Sequence, residues 1–341
     1  MYALHVNAYV TENCNRNCSY CYSRNTPIHM SEQIAMDVGN WVGNFATVER
    51  VKNFRLHFLG GEPFLNLEAV HTIIDTIDNN YSIPSSPDGR YVVFTNGDFL
   101  TKENLTALKN KGVLIYLHCL NDISLAELEW RINLVRDICH GCAVSIVIDD
   151  SPIDRFLEII KLAIKYRCHP RLSALYLFRP TKPYKRDWEV YTKLPDNYIS
   201  IYRDKVVSAL RLILDSGIAI YPNFIQSDIY ITWDKIGINP HFCGRCFYVI
   251  DSVGNIRSCS MLHTEIGSIY EHRKASDLSF IQKHVAIENC RDCEWVTWCQ
   301  SGCPARRTAN EKIYLCDVYK ETFPMMMELK DRWLHRNKKV D

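Results

Sequence analysis

Short runs of β-branched and aromatic residues recur along the first half of the chain, separated by longer stretches with apolar residues at helical spacing. The runs fall at Leu4–Tyr9, Phe54–Leu59, Tyr91–Phe94, Val113–Leu117, Val144–Ile148 and Leu175–Phe178. The helical patterns cover Ser31–Val48, Leu67–Asp78, Lys102–Lys111, Ser124–Ile138, Ile153–Arg167 and Tyr198–Ser216. Continuous apolar strands alternating with amphipathic helices predict a parallel sheet with covered faces. Six such units rather than eight predict an α/β fold built as a partial, open (β/α)6 barrel of the TIM-like kind. In such folds the chemistry gathers at the C-terminal ends of the strands.

From about Pro222 the pattern changes. Helical periodicity fades, and eight of the fifteen cysteines fall between Cys243 and Cys316. The expected organisation is a barrel over residues 1–230, a cysteine-rich domain over 231–325 and a basic tail over 326–341. Within that tail, Leu329–Val340 reads as a solvated surface helix.

Composition narrows the function classes. The 341 residues carry 40 basic and 39 acidic side chains, a formal charge of +1, so neither nucleic acid nor another polyanion is expected as a partner. No run approaches the length of a membrane span and the first ten residues do not resemble a signal peptide, so the expected location is the cytoplasm. Fifteen cysteines in that setting point to metal or redox chemistry rather than a disulfide scaffold.

Directly after the extended run Tyr2–Val10 comes Cys14-x3-Cys18-x2-Cys21. Three thiolates on one short loop can hold three corners of a 4Fe–4S cluster and leave one iron open, as a catalytic site requires. Zinc or unrelated thiols are the alternatives, although zinc would want a fourth nitrogen or sulfur ligand nearby. The second strand ends in Gly60-Gly61-Glu62-Pro63. The glycines allow close backbone approach, and Glu62 offers a carboxylate to an amino group beside the cluster. The third strand ends in Phe94-Thr95-Asn96-Gly97, and the fourth runs on through His118-Cys119-Leu120-Asn121. His118 reads as a packed or hydrogen-bonded residue. In the second part, the spacing is Cys243-x2-Cys246-x12-Cys259, then Cys290-x2-Cys293-x5-Cys299-x3-Cys303, then Cys316. Eight thiolates make two four-cysteine sites, and spacing alone leaves zinc and iron–sulfur both open. Pro304 directly after Cys303 resembles the ending of ferredoxin cluster motifs.

The three-cysteine loop and the Gly-Gly-Glu-Pro turn together resemble the radical S-adenosylmethionine (SAM) superfamily, and Tyr20 before the third cysteine matches its usual aromatic. The resemblance implies a 4Fe–4S cluster on Cys14, Cys18 and Cys21. It also implies SAM bound near Gly60, Gly61, Glu62 and Pro63, with Thr95 and Asn96 in the cofactor pocket. Reductive cleavage of SAM would give a 5′-deoxyadenosyl radical that abstracts hydrogen from substrate, fed by a reductant such as ferredoxin or flavodoxin. Cys119 and Asn121 stand where the family carries a serine and an aspartate, a departure from the pattern that carries the ribose contact.

The later cysteines resemble the SPASM domain, a twin-cluster extension of radical SAM enzymes that modify peptides and proteins. That resemblance implies auxiliary cluster I on Cys243, Cys246, Cys259 and Cys303, and auxiliary cluster II on Cys290, Cys293, Cys299 and Cys316. Three 4Fe–4S clusters would then use eleven cysteines, leaving Cys119, Cys139, Cys142 and Cys168 as small buried or loop residues. Ser260 replaces the aspartate of sulfatase-maturing relatives. Thirteen residues before Cys14 are too few for a fused leader-peptide-binding domain, so a separate leader-binding protein or the cleft itself is expected to recruit substrate. The stretch Arg179–Tyr191 offers a basic, aromatic rim or an ordinary solvated loop. The expected substrate is a ribosomally made precursor peptide and the expected outcome an oxidative cross-link of cyclophane or thioether type. Modification of a protein or small molecule by the same chemistry is the alternative, followed by a non-catalytic electron carrier. No catalytic general base can be named from the residues.

Overall fold

A computed structural model describes residues 3–21, 23, 25–84, 90–119, 122–139, 141–175, 178–180, 188–190, 197–218, 247–257, 265–271, 290, 292–295 and 315–337. Six strands run in parallel and in chain order: β1 (Ala3–Thr11), β2 (Asn53–Gly60), β3 (Tyr91–Thr95), β4 (Val113–Cys119), β5 (Cys142–Ile148) and β6 (His169–Ala174). Helices α1 (Glu32–Val48), α2 (Leu67–Asn80), α3 (Lys102–Asn110), α4 (Leu125–Ile138) and α5 (Ile153–Lys165) connect them, and α6 (Tyr198–Asp215) follows β6. Because parallel crossovers share one hand, a sheet wound in sequence order carries all its helices on one face. The other face is left concave and open, which is the partial (β/α)6 barrel expected from the patterning.

Local signals explain where the helices start. Ser31, Thr101 and Ser124 each accept a hydrogen bond from the backbone N–H three residues on, capping α1, α3 and α4. The face of the sheet under the helices is apolar throughout: Val6, Ala8, Leu56, Phe58, Val93, Ile115, Leu117, Val144 and Leu172 are all buried. β4 shows the alternation plainly, since Val113, Ile115, Leu117 and Cys119 are buried whereas Leu114, Tyr116 and His118 are partly exposed on the concave side. That concave side carries histidine, tyrosine and arginine, unlike a closed barrel packed with aliphatic layers.

Three elements depart from the sequence expectation. The sixth strand is His169–Ala174, not Leu175–Phe178. Phe178–Pro180 (β7) instead pairs antiparallel with Trp188–Val190 (β8) in a separate two-stranded ribbon. As the edge of the sheet, β6 tolerates Pro170, whose missing N–H would break a central ladder. Next, β9 (Phe247–Ile250) pairs parallel with β1, and β10 (Asn255–Arg257) and β11 (Glu265–Ser268) extend it antiparallel, so one nine-stranded sheet runs on into the cysteine-rich part. Finally, α7 (Cys316–Asn337) begins well before the predicted basic tail, and its Phe323, Met326 and Leu329 are buried. Within Leu329–Val340 the helix buries Leu329 and exposes Asp331 and His335. It docks on α6, where Arg203 grips Glu321 through Nε and Nη2 at 2.6 and 3.0 Å, and Arg332 donates to the Leu214 carbonyl.

Candidate functional site

β1 delivers the chain to the C-terminal edge of the sheet at Thr11, which is fully buried. Its hydroxyl donates to the Ile28 carbonyl at 3.0 Å and accepts from the Asn13 N–H at 3.0 Å. Glu12 N–H also donates to Ile28 O, and Met30 N–H to Val10 O, at 2.8 and 2.9 Å. The segment between is thus a loop with a closed neck, and it carries all three predicted cysteines. Cys14, Cys18 and Cys21 are all half-buried. The Asn25 side chain accepts from the Cys14 N–H at 2.7 Å, and Cys21 N–H donates to Cys18 O at 3.0 Å.

The glycine turn locks onto this loop by its backbone. Gly61 N–H donates to Thr11 O at 2.9 Å, and Glu62 N–H to Asn13 O at 2.8 Å. A β-carbon at Gly60 would stand 2.0 Å from Thr11 O, and one at Gly61 2.1 Å from Asn13 O, so no other residue fits either position. Close approach is what the glycines were predicted to provide, and here the partner is the cysteine loop itself.

The Glu62 carboxylate is engaged within the protein. Its side chain is only 1% exposed and turns into the protein. One carboxylate oxygen accepts from Phe64 N–H (3.0 Å) and Thr95 Oγ1 (2.8 Å), the other from Asn96 N–H (2.7 Å). Burial pushes its carboxyl up to about 7 against the pull of those donors. The carboxylate clamps the end of β2 to the end of β3.

The Thr95–Asn96 corner stands beside the cysteines. The Asn96 amide nitrogen donates to Asn15 Oδ1 at 2.8 Å and lies 4.0 Å from Cys14 Sγ. A cluster of charges that the motifs did not announce secures the corner. Asp98 accepts from Asn15 Nδ2 (2.7 Å), from Arg16 Nε and Nη2 (2.5 and 2.6 Å), and from Arg131 Nη2 (3.0 Å). Burial opposes the Asp98 charge, yet the hydrogen bonds from Arg16 and Asn15 prevail and hold its carboxyl down at about 2. Arg131 donates to Asn96 O at 2.7 Å, and Arg16 also reaches Asp122 at 2.6 Å. The one signal in the sequence was an arginine inside the cysteine loop and an aspartate just past Thr-Asn-Gly.

On the far side of the loop, Tyr20 Oη lies 3.1 Å from His118 Nε2. This is the hydrogen-bonded role expected for His118. Burial and then the field of Arg171 lower that imidazole to about 4, so it is neutral. Cys119 is buried, and its thiol is pushed up to about 12 by desolvation.

Of the eight later cysteines, Cys243, Cys246, Cys259, Cys299 and Cys303 lie outside the described residues. Cys290 is buried, Cys293 N–H donates to Cys290 O at 3.2 Å, and Cys316 opens α7. Among the described residues no three His, Cys, Asp or Glu side chains gather closely enough to hold a single metal ion. A 4Fe–4S cluster takes one thiolate per iron, so its ligands need not converge on a point. Three half-buried thiols on a loop with a closed neck, approached by N–H and O–H donors, fit such a group. Among the described residues no helix is long and apolar enough to cross a membrane.

Residues 8–191 match the sequence model of the radical SAM superfamily, more than half of the chain. The chain belongs to the radical SAM superfamily. A radical SAM enzyme of this kind binds a 4Fe–4S cluster and SAM, and the cysteine loop and glycine turn sit at the edge of the sheet where both would be met. Two uncharacterized proteins are related by sequence. One from Archaeoglobus fulgidus is 25% identical over 363 aligned positions, 96% of this chain and 82% of its own length. One from Methanocaldococcus jannaschii is 27% identical over 107 residues, and the match spans only about a third of it, 35%. Among solved structures, native anSMEcpe with bound AdoMet and Cp18Cys peptide superposes with a TM-score of 0.70 at 18% identity, covering 97% of this chain and 99% of that one. Streptococcus suis SuiB bound to its precursor peptide SuiA superposes at 0.66 and 13% identity, covering 92% and 76%. At such identities the likeness is one of fold.

Proposed function

We propose that this radical SAM enzyme acts on a residue of a small precursor peptide and leaves it oxidatively cross-linked. The observation that carries the reading is the joint between the half-buried cysteine loop and the Gly60-Gly61-Glu62 turn, set beside a concave face lined with polar and aromatic side chains. Two solved structures of the same fold, anSMEcpe and SuiB, hold a bound peptide, which supports a peptide as the substrate class.

The residues divide the work. Cys14, Cys18 and Cys21 hold the N-terminal cluster, and Gly60, Gly61, Glu62, Pro63, Thr95 and Asn96 wall the SAM pocket. With both groups bound, the chemistry supplied is reductive SAM cleavage and removal of one hydrogen atom from substrate. The loop neck and the Asp98 hub keep the thiols in place, and the Gly-Gly backbone seals the joint against water. A cross-link needs the substrate to lose a second electron and a proton. Cys243, Cys246, Cys259 and Cys303, with Cys290, Cys293, Cys299 and Cys316, supply that electron acceptor in our reading as two auxiliary clusters. On this view residues 1–230 start the reaction and residues 231–325 complete it, across one continuous sheet. A separate leader-binding protein and a flavodoxin- or ferredoxin-type reductant are the partners that fit, in the cytoplasm.

Anaerobic reconstitution tests the proposal. Protein reconstituted with iron and sulfide should hold about twelve irons, and with dithionite and SAM it should release 5′-deoxyadenosine. A peptide encoded beside the gene should lose about two mass units per cross-link. About four irons would remove the auxiliary clusters from the account, and an unmodified peptide alongside steady 5′-deoxyadenosine release would remove the peptide.

A further inference from the structure

We infer that Arg171 forms a carboxylate-receiving subsite on the concave face of the sheet, with Phe94 and His118 beside it. Arg171 sits in mid-β6 opposite Ser145, which in turn stands opposite His118 of β4. The three therefore form a row across adjacent strands, on the face away from the helices. Thr95 pairs with Leu117, so Asn96 shares a level with His118. Arg171 thus stands at the height of the cysteine corner, across the chamber from it.

Among the described residues nothing offers Arg171 a counter-charge. The guanidinium carbon lies 4.9 Å from the centre of the Phe94 ring, whose own neighbours are Tyr116 and His57 at 4.8 and 5.3 Å. The Arg171 Nε is shielded from solvent and has no acceptor, and among the described residues Arg171 makes no ion pair. The carboxylates just past the ends of β2, β3, β5 and β9 are already engaged: Glu62 by Thr95 and Asn96, Asp98 by Arg16 and Arg131, Asp149 by Lys205, and Asp251 by Arg257. His118, His57 and His5 are neutral, because burial and the nearby arginine charges depress them. An orphaned, solvent-shielded donor such as this Nε is costly, and natural chains keep one where a ligand compensates. Arginine presents a planar fork that suits a bidentate carboxylate. The cation–π contact with Phe94 holds the fork while the subsite is empty.

Two molecules could bring that carboxylate: SAM, through its methionyl end, or the substrate, through an acidic side chain or chain terminus. The inference rests on the concave face being the reaction chamber, as proposed above. Its test uses reconstituted enzyme and the variants Arg171→Leu and Arg171→Lys. SAM affinity is read by anaerobic equilibrium dialysis. Substrate-type recognition is read by titrating N-acetylglutamate against its amide, N-acetylglutamine. We expect Arg171→Leu to lose at least tenfold in affinity in one arm, with partial rescue by Arg171→Lys, and the affected arm identifies the source. The ligand-free Leu variant should melt no lower than the parent, since a shielded donor without an acceptor has been removed. Unchanged affinity in both arms, or a marked fall in the melting temperature of the ligand-free Leu variant, would overturn the subsite. Absence of 5′-deoxyadenosine from the parent enzyme would instead remove the proposed function and leave probe discrimination to be judged separately.

Discussion

Cys18 and Cys21 are separated by two residues, and so are Cys139 and Cys142, yet the two pairs sit at opposite ends of the sheet in opposite environments. The first pair belongs to the loop beyond the C-terminal end of β1. There burial pushes the Cys14 and Cys18 thiols up, but the Arg16 N–H, 3.4 Å from Cys14 Sγ, and the Tyr20 hydroxyl beside Cys18 pull them back. The second pair lies at the N-terminal end of β5, with Cys168 next to it just before β6. Its sulfurs face carbonyls: Cys139 donates to Leu105 O at 3.8 Å, Cys142 to Ala143 O at 3.8 Å and Cys168 to Tyr166 O at 3.7 Å. Donors favour a thiolate and acceptors favour a thiol. A metal takes the thiolate, so surroundings, not spacing, separate ligand from filler. The ends of the sheet divide as β/α folds generally do, with chemistry at the C-terminal edge and stability at the other.

The sharpest way to break this comparison is to remove sulfur from each end in turn. Cys14→Ala, Cys18→Ala or Cys21→Ala should abolish 5′-deoxyadenosine release, a loss of several orders of magnitude, and take the N-terminal cluster's iron with it. Cys139→Ala or Cys168→Ala should leave both within about twofold of the parent. Iron analysis and product chromatography on the same preparations decide it, and iron lost with the second set would erase the distinction.

A smaller effect separates the charged clasp from the thiols it supports. Asp98→Asn leaves Arg16 and Arg131 short of a counter-charge, and Arg131 is only 7% exposed. We expect a loss of about 2 kcal/mol at neutral pH, measured by denaturant titration. The pH dependence carries a sign. A carboxyl held at about 2 in the folded chain, against an ordinary 3.8, stabilises fully above pH 3.8, and that share disappears as pH falls through 2. The gap between parent and variant should therefore close on acidification. A gap that widens would show the clasp to be something other than this ion cluster.

Legibility in the sequence followed the same divide. Five of the six barrel strands were readable because their helix-facing residues form apolar runs with little polar interruption. The sixth was not, since His169, Arg171 and Ser173 face the open side of an edge strand and dilute the pattern, while Leu175–Phe178 beyond it looks more apolar. The glycines were legible because close backbone approach demands one residue type at a fixed place, and the cysteine loop was legible as a spacing whose ligand role is the reading proposed above. The Asp98 hub was not, because its bonds to Arg16 and Arg131 join residues 82 and 33 positions apart. The inward turn of Glu62 was hidden for a related reason. A carboxylate beside two glycines suits a ligand or a strand-end clamp, and only the position of Asn96 N–H decides between them.

The gentlest test asks whether the second set of cysteines is inert even as a group. Burial raises the Cys139 thiol to about 11, and the hydrogen bond to Cys168, with burial, holds Cys142 well above its ordinary value. Alkylation requires the thiolate and access to it. Burial denies access at all three, and Cys139 and Cys142 also withhold the thiolate, whereas the bond with Cys142 lowers Cys168. In folded apoprotein an alkylating reagent should mark Cys14, Cys18 and Cys21 quickly and leave Cys139, Cys142 and Cys168 untouched until the chain unfolds, as peptide mass mapping would show. Cys168→Ala should cost about 1 kcal/mol, the scale of an ordinary core truncation. Cys168→Ser should cost more, because its hydroxyl is dearer to bury than a thiol. If serine proved the better replacement, the sulfur's hydrogen bond to Tyr166 would matter more than its bulk, and these cysteines would have to be read as a polar contact rather than as filling.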